Sequence, residues 1–442
     1  MNAGPDASQR RLFGTDGVRG EAGTFITAEL ATSLGRSATL ASDAVRPQVL
    51  IVRDTRESGP MLESALAAGI AEAGGDALLG GVLPTPAASV LVRRHGLDLG
   101  AVVSASHNPF GDNGIKFFGP DGRKLSDEAE AEVERLIDAP SEGREVGRVR
   151  ELQGSLDDYL RELARFYELD LQGLHVVLDC ANGATFRAAP AIFERLGAKV
   201  DAVAIEPDGR NINAGCGSTH IENLVEAIVD RRGDIGFAFD GDGDRLLAAD
   251  RNGVVHDGDD LIALAAHDLK RRGALEGGVV VTLMTNFGFH QAMEKAGIEV
   301  ATTKVGDRYV LEELARRGWG LGGEQSGHVI SMDFAPTGDG IAAALEALRA
   351  LDGRDLADAE PFEKLPQVLE NVKVADREAI AGATEVWEAV ERENKALEGR
   401  GRVLVRPSGT EPLVRVMVEA PGEDECERIC SRLTALVREQ LA

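Results

Sequence analysis

Apolar, strand-like runs alternate with amphipathic helical patterns along most of this chain, and this alternation restricts the folds that it can adopt. Residues 49–52, 99–105, 174–180 and 279–284 predict buried strands, and helical patterns follow the first, third and fourth of them after short glycine-containing loops. Such alternation predicts α/β domains with mostly parallel or mixed sheets. The chain has 442 residues. Because one hydrophobic core seldom supports that length, we expect roughly two to four domains.

Polar or turn-rich stretches indicate where these domains join. Three such stretches, at 139–155, 252–258 and 361–371, interrupt the alternation. The residues after the last one have a strand, helix, loop, strand, helix pattern, which is typical of a small α+β domain. The predicted domains are therefore 1–150, 151–254, 255–368 and 369–442.

The strong negative charge limits the partners of the protein. The formal net charge of -26 opposes binding to nucleic acids and to anionic membranes, because both need a basic surface. No apolar run of about 18 residues and no N-terminal signal-peptide pattern occur, so we expect a cytoplasmic protein without a membrane partner. A phosphorylated ligand could still bind where arginine, lysine and backbone N–H groups create a local positive pocket.

Four cysteines are present, Cys180, Cys216, Cys426 and Cys430, and no two of them have CxxC spacing. The last two share one face of a predicted helix, and no histidine lies nearby to complete a zinc site. We therefore expect reduced cysteines with a packing role.

Three aspartates, Asp240, Asp242 and Asp244, alternate with glycines directly after the apolar run Phe-Ala-Phe. Glycine permits a tight bend on which the three carboxylates can converge. Converging carboxylates repel one another unless a hard cation binds them, and all-oxygen ligation suits Mg²⁺. Arg245 and Arg251 stand where a calcium-binding EF-hand needs Gly and Glu, which excludes that motif. The alternative is a solvated acidic turn.

The loop Ser-Ala-Ser-His-Asn-Pro at 104–109 follows a predicted strand, at the end where α/β sheets carry reactive groups. A serine in this position could act as a nucleophile. Its neighbours differ from those in the G-x-S-x-G elbow of hydrolases. The alternative is an Asn-Pro turn whose serines only cap backbone groups.

A loop near the C-terminus combines groups suited to phosphate. In Arg-Pro-Ser-Gly-Thr-Glu-Pro, which begins at Arg406, one arginine accompanies two hydroxyls and a flexible glycine. The backbone N–H groups of this loop could form a nest for an anion, and Arg415 on the next strand could reach the same anion. The alternative is a turn with one surface arginine.

Two other loops carry polar groups of interest. Glu324, Ser326 and His328 alternate along a strand-like run, so their side chains share a face that could contact sugar hydroxyls or transfer protons. A glycine-rich loop at 13–20 supplies one more arginine, Arg19.

Two of these loops belong to segments that resemble each other. Residues 98–109 and 234–245 both open with Asp, an aliphatic residue and Gly, continue as a short apolar strand and end in a polar loop. In this register Ser106 lies opposite Asp242, and residues 319–330 form a looser third copy. A true repeat would mean that similar domains present different loops to a shared cleft. Chance similarity of strand–loop–strand units is the alternative.

The segments FGTDGVRG, SASHNP, DGDGDR, GEQSGH and RPSGTEP occur in this order, about one in each predicted domain. This order resembles the α-D-phosphohexomutase family over nearly the whole chain. The resemblance implies three similar α/β domains with mixed sheets and a small C-terminal α+β domain, arranged around a central cleft. It also implies an enzyme that moves a phosphate between two hydroxyls of a small-molecule sugar phosphate, through a phosphoserine and a 1,6-bisphosphate.

Family resemblance also implies a role for residues in these motifs. Ser106 would carry the phosphoryl group and complete the site that the three aspartates form for one Mg²⁺ ion. Arg19, Lys116 and His328 would take part in proton transfer and charge stabilisation. The residues implied to bind substrate are Lys304, Glu324, Ser326, Arg406, Ser408, Gly409, Thr410 and Arg415.

Within the family, FGTDGVRG, GGEQSGH and the segment 304–312 are most similar to the bacterial branch that interconverts glucosamine 6-phosphate and glucosamine 1-phosphate. That branch implies glucosamine or glucose 1,6-bisphosphate as an activator, and a homodimer. The branch that acts on mannose and glucose phosphates is the alternative. Two other hypotheses are a Mg²⁺-dependent phosphatase or phosphotransferase and a non-catalytic sugar-phosphate-binding protein. The non-catalytic protein would be expected to have lost Ser106 or an aspartate.

Overall fold

The computed structural model describes residues 12–14, 16–141, 144–408 and 412–441. The chain divides into two compact units. The first unit runs to Leu283 and resumes over Ala301–Ala359, and the second comprises Met284–Val300 and the chain from Glu360 onward.

The first sheet is mixed and has six strands. Its strands are β1 (Val18–Glu21), β2 (Gln48–Arg53), β3 (Asp76–Val82), β4 (Leu99–Val103), β5 (Asp112–Phe118) and β6 (Val149–Glu151), in the order β1–β5–β4–β2–β3–β6. The accompanying helices are α1 (Ala28–Ala41), α2 (Gly59–Glu72), α3 (Thr85–His95) and α4 (Asp127–Arg135). Strand β2 pairs in parallel with β3 and β4, and its residues 49–52 are all buried. Burial on both faces explains why this run is continuously apolar.

The second and third sheets are also mixed. The second contains β7 (His175–Asp179), β8 (Lys199–Val203), β9 (Ile235–Phe239), β10 (Leu246–Asp250) and β11 (Val255–His256), in the order β11–β10–β9–β7–β8. The third contains β12 (Val279–Thr282), β13 (Val300–Thr303), β14 (Leu321–Gly323) and β15 (Val329–Ser331), in the order β13–β12–β14–β15. The helices of this part of the first unit are α5 (Ser155–Tyr167), α6 (Ala188–Arg195), α7 (Glu222–Arg231), α8 (Gly258–Arg271), α10 (Asp307–Arg317) and α11 (Gly340–Leu351).

Strands β4, β9 and β14 occupy equivalent positions in their sheets. Each pairs in parallel with one neighbour, namely β2, β7 or β12. Each also pairs antiparallel with the next strand of the chain, namely β5, β10 or β15. The polar loops singled out from the sequence follow these three strands. A shared local topology therefore accounts for the resemblance between the segments that contain them.

The second unit has an antiparallel sheet of three strands, β16 (Gln367–Lys373), β17 (Arg402–Pro407) and β18 (Leu413–Glu419), in the order β16–β18–β17. Its helices are α9 (Phe287–Ala296), α12 (Thr384–Ala396) and α13 (Glu423–Leu441). Cys426 and Cys430 are both buried in α13, which agrees with the shared helix face predicted from their spacing and with a packing role. Three mixed sheets with helices, and a small α+β unit with an antiparallel sheet, confirm the predicted fold class. Over the described ranges, no helix is long and apolar enough to cross a membrane.

Helices α5 and α11 are joined by a buried hydrogen bond. The Tyr159 hydroxyl donates to Asp339 Oδ2 at 2.7 Å, and both residues are almost fully buried. Asp339 also caps α11, because its Oδ1 accepts the Ala342 N–H at 3.0 Å. Burial raises the pKa of Asp339 to about 6. The proton on this carboxyl therefore stabilises the fold at low pH, and that contribution is lost as the pH rises through about 6.

Replacing Tyr159 by phenylalanine should lower the free energy of unfolding by ~1–3 kcal/mol, because a buried carboxylate oxygen loses its donor. The loss should be larger at pH 8, where Asp339 is ionised, than at pH 5. Chemical denaturation at both pH values measures it. Tyr167 is the matched control, since it ends the same helix, is buried, and has a hydroxyl without a hydrogen-bond partner among the residues described. Equal losses in Tyr159→Phe and Tyr167→Phe would contradict the prediction.

Candidate active site

The loop after β4 places Ser106 against the loop after β9. Ser106 Oγ donates to Asp240 Oδ2 at 2.5 Å. The residue is buried, and its φ of 51° lies in the left-handed region that non-glycine residues seldom adopt. His107 Nδ1 lies 3.4 Å from the same hydroxyl. The structure therefore brings together the serine loop and the acidic loop, which are far apart in sequence.

Asp240, Asp242 and Asp244 form a buried cluster in which one carboxylate oxygen of each lies within 4.8 Å of the others. Oδ1 of Asp242 and Oδ1 of Asp244 are buried without a hydrogen-bond partner in the described part of the chain. A buried carboxylate oxygen without a donor is unfavourable. A hard divalent cation, which takes oxygen ligands, would satisfy both atoms. The donor set therefore fits a metal site.

The protonation of this cluster is uneven. Burial raises the pKa of Asp240 well above its usual range, and the charges of Asp244 and Asp242 raise it further. Burial also opposes the charge of Asp242, yet Lys116 and the Thr85 hydroxyl hold the pKa of that carboxyl below its usual range. Thr85 Oγ1 donates to Asp242 Oδ2 at 2.6 Å. Without a cation, Asp240 therefore takes up a proton more readily than Asp242.

Lys116 lies on β5 and points into the acidic cluster. Its Nζ donates to Asp242 Oδ2 at 2.9 Å, and it lies 3.7 Å from Asp16 and 3.9 Å from Asp244. Burial opposes the charge of Lys116, but these three carboxylates outweigh it and raise the pKa. Arg19 on β1 pairs with Asp16. The two cations predicted from the resemblance are therefore linked through Asp16.

Asp16 and two further charged residues extend this network, and none of the three was predicted from the sequence. Lys124 bridges Asp16 and Asp307 as a buried ammonium. Burial opposes its charge, but the two carboxylates raise the pKa of Lys124. Asp16 belongs to FGTDGVRG and Asp307 to the segment 304–312, so those motifs contained a signal. Nothing in the sequence distinguished Lys124.

His328 connects the far ends of this network. Its Nδ1 lies 3.7 Å from Asp244 Oδ2, and its Nε2 lies 3.8 Å from Asp307 Oδ2. Its Nε2 also accepts the Gly338 N–H at 3.1 Å, which assigns the proton to Nδ1, facing Asp244. His328 is only 3% exposed. Its predicted part in proton transfer stays a prediction.

The prediction that Glu324, Ser326 and His328 share one face of a strand is wrong, because residues 324–328 form the turn between β14 and β15. The residues of the sugar-binding prediction also differ in exposure. Glu324 is buried, and its Oε1 accepts the Gly306 N–H at 2.9 Å, which ties the loop after β14 to the loop before α10. Ser326 and Lys304 are exposed. Lys304 Nζ lies 6.0 Å from the centre of the Tyr309 ring. Glu324 is thus fixed by the fold, whereas Ser326 and Lys304 remain accessible to a ligand.

In the second unit, Arg406 on β17 and Arg415 on β18 stand directly opposite each other. Burial lowers the pKa of Arg406, and the charge of Arg415 lowers it further. Two guanidinium groups that repel each other in this way favour a bound anion. Ser408 is buried, and its N–H donates to Leu413 O at 2.8 Å. Gly409 and Thr410 lie outside the described residues.

Comparison with protein families places this geometry in context. The sequence matches the phosphoglucomutase/phosphomannomutase profiles for α/β/α domain I over 10–144, domain II over 157–253, domain III over 257–369 and the C-terminal domain over 369–436. These matches cover most of the chain, which therefore belongs to the phosphoglucomutase/phosphomannomutase family of phosphohexomutases.

Curated relatives identify a branch of this family. The chain is 50% identical over 441 residues to the phosphoglucosamine mutase of Pelotomaculum thermopropionicum, covering 97% of this chain and 99% of the relative. It is 45% identical over 443 residues to that of Bacillus subtilis, covering 98% and 99%.

Solved structures share the fold. A phosphoglucomutase/phosphomannomutase family protein from Burkholderia thailandensis aligns with a TM-score of 0.80 at 25% identity, over 97% of each chain. The N-acetylphosphoglucosamine mutase of Aspergillus fumigatus, solved with GlcNAc-6P and magnesium, aligns with a TM-score of 0.68 at 20% identity, over 99% of this chain and 97% of that one.

Proposed function

We propose that the protein is a phosphoglucosamine mutase, which interconverts glucosamine 6-phosphate and glucosamine 1-phosphate. The contact of Ser106 Oγ with Asp240, within a cluster of three buried carboxylates, carries this proposal. A serine hydroxyl beside a metal site is the arrangement that a phosphoserine intermediate needs. The amino-sugar branch rests on the relatives named above.

Each half of the reaction exchanges one P–O bond for another. The P–O bond to Ser106 breaks as a bond forms to a sugar hydroxyl, and a 1,6-bisphosphate results. The sugar hydroxyl gives up its proton, and Ser106 Oγ takes one up to become a hydroxyl. The other phosphate of the bisphosphate then returns to Ser106. Phosphoryl transfer depends mainly on positioning and charge neutralisation. Lys116 and Arg19 would supply positive charge beside the transferring group.

The metal is proposed to be Mg²⁺, held by the three aspartates and by a phosphate oxygen on Ser106. When bound, it would supply Lewis-acid stabilisation of the transferring phosphoryl group. The second unit would hold the phosphate that is not reacting, through the residues Arg406, Ser408, Gly409, Thr410 and Arg415. Glu324, Ser326 and Lys304 would contact the sugar. We also propose a cytoplasmic enzyme, activated by a hexose 1,6-bisphosphate and active as a homodimer.

A coupled assay tests substrate and reaction class together. With Mg²⁺ and a trace of glucose 1,6-bisphosphate, kcat/KM for glucosamine 6-phosphate should exceed that for glucose and mannose 6-phosphates by about tenfold or more. Omitting the bisphosphate should slow a mutase. A phosphatase would instead release inorganic phosphate regardless of the bisphosphate. Faster turnover of glucose or mannose phosphate would assign the protein to the branch that acts on those sugars. Light scattering tests the proposed homodimer separately.

A further inference from the structure

Ser106 is held in its left-handed conformation by a buried arginine that no motif indicated. Arg56 follows β2, and its side chain is fully buried. A guanidinium has five N–H donors, and each of them here has an acceptor. Nε donates to Asp54 Oδ2 at 2.8 Å, Nη1 to Asp112 O at 2.9 Å and to Pro109 O, and Nη2 to Ser106 O and Asn108 O, both at 2.8 Å. Four of the five acceptors are backbone carbonyls, three of them in the serine loop and the fourth, Asp112 O, at the start of β5.

A second donor reaches the same carbonyls from the domain of the second sheet. Asn213 Nδ2 donates to Ser106 O at 3.0 Å and to Asn108 O at 3.3 Å. Asn213 is itself buried, with a φ of 58°. A Cβ on Gly241, in the acidic loop, would lie 2.6 Å from Ser106 O and 2.7 Å from Asn213 Nδ2, so only glycine fits there. The Ser106 carbonyl is therefore enclosed by groups from two domains.

The Ser106 N–H is linked through Ser104 to Asp54, the carboxylate that pairs with Arg56. The Ser106 N–H donates to Ser104 Oγ at 2.9 Å, and Ser104 Oγ in turn donates to Asp54 Oδ2 at 2.6 Å. Asp54 is the carboxylate that pairs with Arg56. Both backbone hydrogen-bonding groups of Ser106, its N–H and its carbonyl, thus depend on Asp54 and Arg56.

Backbone strain of this kind persists only where surrounding contacts determine it, and such positions cluster at active sites. If φ of Ser106 relaxed to a negative value, its Cβ would turn relative to the loop and Oγ would leave Asp240. The same loop must also keep its shape while Ser106 alternates between a neutral hydroxyl and a charged phosphate. A network that satisfies every donor of a rigid guanidinium is suited to this task.

We propose that Arg56 and Asn213 are positioning residues for phosphoryl transfer, which hold the Ser106 carbonyl so that Oγ, or the phosphate on it, faces the acidic loop. This inference rests on the proposed function. It predicts that weakening these hydrogen bonds slows phosphoryl transfer to and from Ser106, while the binding of the sugar phosphate stays nearly unchanged.

The test uses the full chain with Arg56→Lys and Asn213→Ala. Lysine keeps the charge but offers three donors in place of five. We expect kcat to fall about 100-fold in Arg56→Lys and about tenfold in Asn213→Ala, with KM for glucosamine 6-phosphate changed less than about threefold. The rate at which Ser106 gains phosphate from glucose 1,6-bisphosphate, followed by intact mass, should fall by similar factors.

Arg53→Lys is the matched control for these variants. Arg53 lies at the end of β2 and pairs with Glu63 at 3.0 Å, and its described hydrogen bonds do not reach the serine loop. The kcat and phosphate-loading rate of Arg53→Lys should stay within about twofold of the wild-type values, even if the substitution lowers the melting temperature.

Retention of kcat and loading rate within about threefold in both positioning variants would overturn the inference, as would a rise in KM with kcat unchanged. If Arg56→Lys fails to fold, Asn213→Ala decides, because it acts on the same carbonyl. If the wild type turns over no hexose phosphate, the proposed function fails, and the loading rate of Ser106 still reports on positioning.

Discussion

Replacement of Ser106 by alanine is expected to lower kcat for glucosamine 6-phosphate by about 10⁴-fold or more, because the oxygen that carries the phosphoryl group is removed. The variant should gain no phosphate when it is incubated with glucose 1,6-bisphosphate, which intact mass measures. It should still fold, because the contacts that hold this loop involve the backbone of Ser106, and alanine keeps that backbone.

A second buried serine supplies the control for this prediction. Ser37 in α1 is fully buried, and among the residues described its Oγ donates only within its own helix, to Ser33 O at 2.8 Å and Leu34 O at 3.2 Å. Ser37→Ala should keep kcat within about twofold of the wild-type value. If Ser106→Ala retained more than about one tenth of the wild-type kcat, the phosphoserine mechanism would be rejected.

Removal of divalent metal by a chelator is expected to abolish turnover, and added Mg²⁺ should restore it. In Asp240→Asn, the Mg²⁺ concentration for half-maximal activity should rise at least about 100-fold, since loss of even an outer-shell group costs up to that factor. Burial and the neighbouring carboxylates raise the pKa of Asp240, and a carboxyl must lose its proton to bind metal. Wild-type affinity for Mg²⁺ should therefore fall as the pH falls through that raised pKa.

Thermal unfolding tests the metal site without an activity assay. Mg²⁺ at 100 times its dissociation constant should stabilise the wild type by about 2.7 kcal/mol and should barely stabilise Asp240→Asn. In chelator, Asp240→Asn should melt no lower than the wild type, because burial already disfavours the charged form of Asp240 and the asparagine amide is neutral.

Asp250 supplies the control for the metal site. It is buried on β10, and its Oδ1 accepts the N–H groups of Asn252 and Val254, which an amide oxygen can also do. Asp250→Asn should therefore keep the stabilisation by Mg²⁺. Equal stabilisation of Asp240→Asn and the wild type by Mg²⁺ would rule out this metal site.

The regular elements of the fold were predictable because their signals are local. The apolar run at 49–52 became β2, and the helical pattern at 58–74 became α2, which spans Gly59–Glu72. The limits of the sheets were less accessible, because strand pairing depends on distant partners. Strand β11 pairs with β10 and extends the second sheet to His256, which lies within the predicted junction at 252–258 but beyond 254, the predicted end of the second domain.

The candidate site divides in the same way. Motifs of distinctive composition located Ser106 and the acidic loop, since alternating Asp and Gly or a serine after a strand can be recognised locally. Lys124 and Arg56 could not be found, because each is an ordinary basic residue until its partners are known. Lys124 contacts Asp307, 183 positions away, and Arg56 contacts carbonyls that are 50 to 56 positions away. Burial of a charge is a property of the assembled fold.

The second unit is built from two segments that are separated in sequence, and this has a consequence for synthesis of the chain. Asn286 exchanges two hydrogen bonds with Leu365, and the Phe289 ring packs 5.8 Å from that of Phe362. During translation, α9 therefore leaves the ribosome well before the residues that cover it. Until residue 362 emerges, Phe289, which is fully buried in the finished fold, lacks this aromatic partner on the nascent chain. A chain whose synthesis stopped near residue 360 would keep this apolar side chain without its partner. Uncovered apolar surface of this kind is what chaperones bind.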